Sequence, residues 1–399
     1  MTQIKAQTLK GFRDFLPGDA RKRQYVINIL KNIFESFGFE PLETPALEYE
    51  EILLGKYGTE GDKLMYRFTD NGGRKVALRY DQTVPLARVV AKYGDELPTP
   101  FKRYQIQPVW RAENTQKGRF REFLQCDIDT VGLNSPLSDA EVIVIVAQSL
   151  KQLGFEKFKI LINDRQLFEG VSPDAIRIID KLKKIGKDNV VKELTETGLS
   201  SEILQKFETA KPTGNLKNIF MALQNLGIPQ SKVEFSPTLA RGLDYYTGMI
   251  FEVEIEGYSV GSVAGGGRYD NLVGMFAGKQ IPAVGFAFGF DRIIEAMNEL
   301  NLFPADLTTT KVLVTVFSSD LLEKSLEVNS LLRSKNINTE IWLDPNTKLE
   351  KQLKYADQKG IPFVIIIGPE EATSGKVVLK DLKNRTQVSI SVDELIIPF

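Results

Sequence analysis

The sequence predicts an α+β fold: an antiparallel sheet interrupted by a helical insertion and followed by a separate α/β unit. Three observations predict it. Residues 101–110 (FKRYQIQPVW) and 119–129 (RFREFLQCDID) alternate with a period of two, at which side chains change face along a strand. From 165 to 232 the texture changes to short, charged helical runs. After NLFPADLTTT, apolar strand runs alternate with helical runs, the pattern of βαβ connections. Boundaries follow at 1–164 and 233–305 for the two parts of the sheet domain, 165–232 for the insertion and 310–399 for the C-terminal unit.

Taken in order, residues 19–38 place Val26, Ile29, Leu30, Ile33, Phe34 and Phe37 at helical spacing, with Asp19 as N-cap and Gly38 as the stop. A short strand over EPLETPALE is broken at Pro45, and 63–70 with 74–80 form a hairpin through DNGGRK. A helix covers 83–93. In the hairpin of 101–132, Arg103, Gln105, Gln107, Val109 and Arg111 share a face with Arg119, Arg121, Phe123, Gln125, Asp127 and Asp129. A face turned only to water would carry Lys, Thr and Glu. Guanidinium forks beside amides and carboxylates point instead to a binding floor. A helix from Ser138 to Leu153 follows. After the insertion, MIFEVEIEG and YSVGSVAGGG read as strands, and AVGFAFGFDRIIEAMNEL as a buried strand entering a helix. In the last unit KVLVTVF, NTEIWL and PFVIIIG are strands, separated by helices near 320–335 and 347–359, in a mostly parallel sheet.

Composition narrows the chemistry. The 399 residues balance 51 basic against 52 acidic side chains, so any nucleic acid would be met by local patches, not by a global field. There is no histidine, which excludes a Ser-His-Asp triad and any His-ligated zinc. Cys126 is the only cysteine, so no intrachain disulfide forms, no thiolate metal cage exists, and a reducing cytoplasm fits. No run is long and apolar enough for a membrane helix, and MTQIKAQTLKGF lacks the core of a signal peptide. Chemistry falls to carboxylates, arginines, lysines, tyrosines and backbone groups, or to a hard cation held by carboxylates.

Three further local patterns could carry it. No Walker A loop is present, and GSVAGGGRYDNL does not sit between a strand and a helix as a dinucleotide fingerprint would. Its glycines suit a tight turn or bulge as well as a backbone facing a ligand. In LARGLDYYTGMIFE, a guanidinium at Arg241 ahead of a buried strand needs an anion from protein or ligand, while Tyr245 packs in the core. In VALRYDQTVP, Asp81 and Thr83 serve as a helix cap or as a carboxylate and hydroxyl meeting an ammonium group.

Together these stretches resemble the class II aminoacyl-tRNA synthetases, and within them the histidyl family. GFRDFLPG through LETPALE looks like motif 1; VWRAE with GRFREFLQCDID is similar to motif 2; GFAFGFDRI resembles motif 3; RGLDYYTGMIFE and AGGGRYDNL resemble two signatures of the histidyl family. The resemblance covers nearly the whole chain, and its C-terminal part is similar to an anticodon-binding module. It implies a class II catalytic domain that activates histidine with ATP and charges tRNA(His), with Mg2+ accompanying ATP, a homodimer built on motif 1, and no membrane.

The resemblance also implies roles. Arg111 forks the α-phosphate, Arg292 braces the distal phosphates, Glu113 reads the adenine end, and Arg119 and Arg121 complete the ATP set. Asp81, Thr83 and Gln125 hold the α-ammonium group; Asp129 and Tyr246 grip the imidazole, with Tyr245 beside them. Arg241 stands at the reacting carboxylate and α-phosphate. Many members carry Glu where this chain has Asp81 and Asp129, and the shorter side chain resembles the eukaryote-like branch. In bacterial members an Arg and a Gln of the motif 2 loop face the tRNA acceptor end; here Asn114 replaces the Arg and Gln116 matches. The rival reading is the histidine-sensing regulatory subunit of ATP phosphoribosyltransferase, which shares the catalytic fold and typically lacks the C-terminal domain.

Overall fold

The computed structural model describes residues 4–54, 64–115, 119–241 and 245–397. They divide into two compact units, Met1–Phe303 and Pro304–Phe399. The first contains α1 (Pro17–Ser36), β1 (Glu40–Pro41), β2 (Leu47–Tyr49), α2 (Glu50–Leu54), β3 (Arg67–Thr69), β4 (Lys75–Leu78), α3 (Thr83–Tyr93), β5 (Phe101–Trp110), β6 (Glu122–Val131), α4 (Pro136–Gln152) and β7 (Phe158–Asp164). It continues through short helices α5 (Pro173–Ile179), α6 (Leu182–Ile185), α7 (Lys187–Glu196) and α8 (Ile203–Glu208), then α9 (Gly214–Asn225), β8 (Val233–Phe235), β9 (Met249–Ile255), β10 (Ala264–Arg268), α10 (Gly274–Ala277), β11 (Ala283–Gly289) and α11 (Phe290–Glu299).

Eight strands form the main sheet in the order β1-β5-β6-β11-β10-β9-β7-β8, antiparallel except for β1 on β5 and β8 on β7. One face is apolar. Cys126, Ile128, Phe251, Val253, Phe286 and Phe288 point to a core closed by Leu30 and Phe34 of α1, by α4, and by Leu216, Ile219 and Leu223 of α9. This is the period-two reading made physical: alternate residues of each strand go into the core, and the rest form the opposite face. On that face Arg103 stands opposite Asp129, Gln105 opposite Asp127 and Gln107 opposite Gln125.

Several expectations need correction. Asp19 does not cap α1; Pro17 occupies the first turn, Leu16 is the N-cap without a side-chain bond, and Asp19 lies inside the turn, where a carboxylate meets the positive helix end. The strand over EPLETPALE is two strands in two sheets, because β1 joins β5 while β2 joins β4 in the small sheet β2-β4-β3. Of YSVGSVAGGG and its continuation, only Ala264–Arg268 is a strand.

The stretch 165–232 is of two kinds. From Phe168 to Phe207 the short helices bury their own small core, with Ile179, Val190 and Leu194, and take in Ala240. The helix α9 packs in the main core instead.

The second unit contains β12 (Val312–Val314), α12 (Leu322–Ser334), β13 (Thr339–Ile341), α13 (Leu349–Lys359), β14 (Phe363–Ile366), α14 (Pro369–Ser374), β15 (Lys376–Asp381) and β16 (Thr386–Ser391). Its sheet runs β13-β12-β14-β15-β16. Val328 and Leu332 of α12 cover one face and Ala356 of α13 the other. The first three strands are parallel, but β15 and β16 add antiparallel pairs that were not expected, so the sheet is evenly mixed. Among the described residues no helix is long and apolar enough to cross a membrane.

Candidate active site

The polar face of the main sheet is floored by small residues. Across the strands, Asp127 stands opposite Ala287, Ala287 opposite Gly265, and Gly265 opposite Glu252. One strand step is about 4.8 Å, so a trough of about 14 Å separates the two carboxylate positions, floored by a methyl group and a bare Cα. A neighbouring row runs Arg103, Asp129, Gly285, Gly267, Ile250. Over these rows lies a cavity of about 500 Å³.

Of the residues singled out in the sequence, Asp81, Thr83, Arg111, Glu113, Arg119, Gln125, Asp129, Arg241, Tyr245, Tyr246 and Arg292 line this cavity. Two do not. Arg121 turns away: its Nε donates to the Glu113 carbonyl at 3.1 Å and its backbone N–H to Gly11 at 2.9 Å, so it ties down the hairpin flank. Asn114 is exposed beside the loop. Gln116 lies outside the described residues, as does Asp244.

The arginines are held in place by local bonds. Arg111 leaves the end of β5, donates from Nε to the Tyr80 carbonyl at 3.0 Å, and lies 5.1 Å over the Phe123 ring. Arg292, in the first turn of α11, donates to the Ser262 carbonyl at 2.6 Å. Its neighbour Asp291 is gripped by Arg23 at 2.6 Å and Arg13 at 3.0 Å, and Arg13 also covers the Phe120 ring at 3.2 Å. Arg241 crosses the trough to Glu252 at 3.1 Å and lies 5.8 Å from the Tyr246 ring centre. Burial opposes its charge, but Tyr246 and Glu252 outweigh this and hold its pKa above the usual value. Burial lifts the Glu252 carboxyl above the ordinary range, and Arg241 offsets only part of that rise.

The carboxylate end is built differently. Asp129 is paired with Arg103 at 2.5 Å, with both side chains almost wholly buried, and it accepts a hydrogen bond from the Tyr269 hydroxyl. Burial and the Asp129 charge push the Tyr269 phenol well above its usual pKa, so it remains a donor. A buried ion pair of this kind stays ordered only with its hydrogen bonds satisfied. Asp81 accepts the Val84 N–H at 3.2 Å and so helps start α3, while Thr83 begins that helix. The N-cap position is Gln82, so Asp81 is not the cap residue but the one before it, and it faces the cavity while supporting the first turn. Beneath lies a buried polar layer in which Arg79 donates to the Thr44 carbonyl at 2.6 Å and to Gln107 at 2.9 Å. Among the described residues, Gln125 Oε1 is a buried acceptor without a hydrogen-bond partner, on a residue that lines the cavity.

Sequence reasoning missed Tyr269, Asp127 and Glu252 as cavity residues, and Arg103 as the partner of Asp129. Asp127 and Arg103 were legible as members of the polar face. Glu252 looked like one of three acids on the wet side of a strand, and Tyr269 needed a contact across 140 residues.

Arginines, carboxylates and an amide gathered around one trough suit a zwitterionic ligand beside a polyphosphate. The family model described as histidyl-tRNA synthetase matches residues 11–184 and 165–293, and one described as anticodon binding domain matches 311–397. Histidine–tRNA ligase of Cytophaga hutchinsonii is 40% identical, covering 97% of this chain and 98% of its own. That of Gloeobacter violaceus is 40% identical, covering 96% of each. The crystal structure of histidyl-tRNA synthetase from Nostoc sp. PCC 7120 superposes with a TM-score of 0.88 at 32% identity, covering 98% of both chains. The chain belongs to the histidyl-tRNA synthetase family.

Proposed function

We propose that this chain activates histidine with ATP at the trough and then transfers the histidyl group to the 3′ end of tRNA(His). In the first step a histidine carboxylate oxygen attacks the α-phosphorus, and the bond to the departing pyrophosphate breaks. Neither step requires a covalent enzyme intermediate, so the protein acts by positioning and charge stabilisation. Arg111 forks the α-phosphate, Arg292 braces the distal phosphates with Arg119 at the rim, and Glu113 meets the adenine end. Asp81, Thr83 and Gln125 receive the α-ammonium group. Asp129 accepts the imidazole N–H beside Tyr246 and Tyr245. Arg241 exchanges Glu252 for the reacting carboxylate and α-phosphate. The observation that carries this reading is the gathering of Arg111, Arg241 and Arg292 with Asp81, Asp129 and Gln125 in one cavity.

Among the described residues no cluster of three or more His, Cys, Asp or Glu side chains could hold a metal. Mg2+ would therefore arrive with ATP and be held mainly by phosphate oxygens and water, and Glu252, once released by Arg241, could add a carboxylate. The ion would neutralise charge on the departing pyrophosphate. Exposed Leu47, Tyr49 and Phe68 on the small sheet support a homodimer. The lone buried Cys126 supports a cytoplasmic setting. How the acceptor end is read rests on Asn114 and Gln116, without the Arg of bacterial members.

The test is histidine-dependent ATP–pyrophosphate exchange, with the other amino acids as controls, followed by charging of tRNA(His). Absence of exchange with histidine, despite binding, would favour the regulatory-subunit reading. A Bacillus halodurans structure described as an ATP phosphoribosyltransferase regulatory subunit/histidyl-tRNA synthetase superposes with a TM-score of 0.74 at 21% identity, covering 89% of this chain and 97% of its own, a likeness of fold alone. The C-terminal match at 311–397 favours the ligase.

A further inference from the structure

Arg241 has an unusual backbone for a residue with a side chain: its φ is +52°, in the left-handed region. Something must hold it there. The adjacent N–H groups of Ala240 and Arg241 both donate to Oδ1 of Asp180, each at 3.2 Å. Successive N–H groups converging on one anion form a nest, a concavity that a left-handed residue helps create. Asp180 follows α5 directly, in the short-helix cluster whose small core also buries Ala240. The cluster therefore grips the chain just before Arg241 by a methyl group and two N–H groups.

The side chain beyond that point has one well-defined path. It passes over Gly265, where a Cβ would fall onto the Arg241 guanidinium, and ends at Glu252 at 3.1 Å. A change of φ at residue 241 would redirect the Cα–Cβ bond, so the side chain would have to leave its present rotamer to keep the guanidinium over Gly265.

We infer that Asp180 is a positioning residue for Arg241, through which the short-helix cluster sets the geometry of the activation step. The inference rests on the catalytic reading of Arg241 given above. Asp180 touches no substrate in this account; it acts by fixing the backbone that aims the guanidinium. Because Asp180 is exposed, its replacement leaves no buried charge, and only a modest fall in melting temperature is expected from the two N–H groups that lose their acceptor.

The experiment measures kcat and KM for ATP in histidine-dependent pyrophosphate exchange, with melting temperature, for full-length Asp180→Ala, Asp180→Asn, Arg241→Ala and the Asp180→Ala/Arg241→Ala double variant. Asp180→Ala should lower kcat about tenfold, the loss of a charged acceptor for two donors, with KM for ATP within about twofold. Asp180→Asn keeps an acceptor oxygen and should regain most of the loss. In the Arg241→Ala background, Asp180→Ala should change nothing further, since its effect passes through the missing side chain. An impaired Arg241→Ala beside a normal Asp180→Ala overturns the inference, as does an Asp180 effect of equal size in both backgrounds. A normal Arg241→Ala overturns the catalytic reading itself, and the inference with it. Should Asp180→Ala fail to fold, Asp180→Glu decides the matter, because it keeps the charge but displaces the carboxylate: lowered kcat supports the inference and unchanged kcat overturns it.

Discussion

Gly265 and Gly266 are neighbours on β10 with opposite duties. A Cβ at Gly265 would meet only the far end of the Arg241 side chain, whereas one at Gly266 would press on the Gly285 carbonyl and the Phe286 backbone. Gly265→Ala should therefore keep the melting temperature and lower kcat for pyrophosphate exchange about a hundredfold, by displacing a preorganised cation. Gly266→Ala should cost about 3 kcal/mol of stability or more, because the strand itself must move. Measuring both quantities on both variants checks the pair; a stable, fully active Gly265→Ala would remove Arg241 from the transition state. Arg241→Ala should lower kcat a hundred- to a thousandfold with a small change in KM for ATP. Arg241→Lys should recover only part, since an ammonium cannot bridge two oxygens as a fork does. At this scale the sequence was informative where one residue type has few uses: Arg111, Asp129 and Arg292 stood out on a polar strand face or in a short motif. It was silent where a role depends on register between distant segments. Nothing in MIFEVEIEG says that Glu252 faces a bare Gly265 while Glu254 pairs with Lys183 at the surface.

Elements were legible in proportion to their regularity. The ten-residue strands β5 and β6 declared themselves by alternation, and α3 begins and ends where the pattern put it. The short strands β15 and β16 did not, because KVVLKD joins apolar and charged residues without a clean period, and TQVSIS alternates over only Val388 and Ile390 in a mostly exposed strand. The start of α1 lies earlier than an Asp19 cap would put it, because Pro17 takes the first turn and Asp19 falls inside it. That helix is docked on β5 by Tyr104, whose hydroxyl donates to Glu35 at 2.8 Å and whose ring lies 5.8 Å from that of Phe34. Burial, with the Glu35 charge, lifts the Tyr104 phenol to about 12. The folded chain thus holds this proton more tightly than the unfolded chain, where tyrosine titrates near about 10. Its contribution is fully present below about pH 10 and is lost as pH rises toward 12. Tyr104→Phe should then be less stable than the parent at neutral pH by about 1 kcal/mol, with the gap closing between these two values. Denaturant titrations of both proteins across that range decide it, and a constant gap would refute the coupling.

For the whole molecule, the division at Phe303 and Pro304 separates the trough from the unit matched to an anticodon-binding domain. A chain ending at Phe303 should keep pyrophosphate exchange within a few-fold and lose most tRNA charging, provided its circular dichroism and melting show a folded protein. Loss of exchange in a folded truncation would contradict that division of labour. Cys126, wholly buried on β6 between Gln125 and Asp127, offers one more use of the architecture. Burial, aided by the Asp127 charge, lifts its thiol well above the usual pKa, and only a thiolate reacts readily. With no second cysteine in the chain, an alkylating reagent has a single address, and it can be reached only when the sheet beneath the trough opens. The labelling rate is thus a clock for that opening, read by mass as one discrete step, and histidine with ATP bound above should slow it in proportion to how tightly they hold the floor shut.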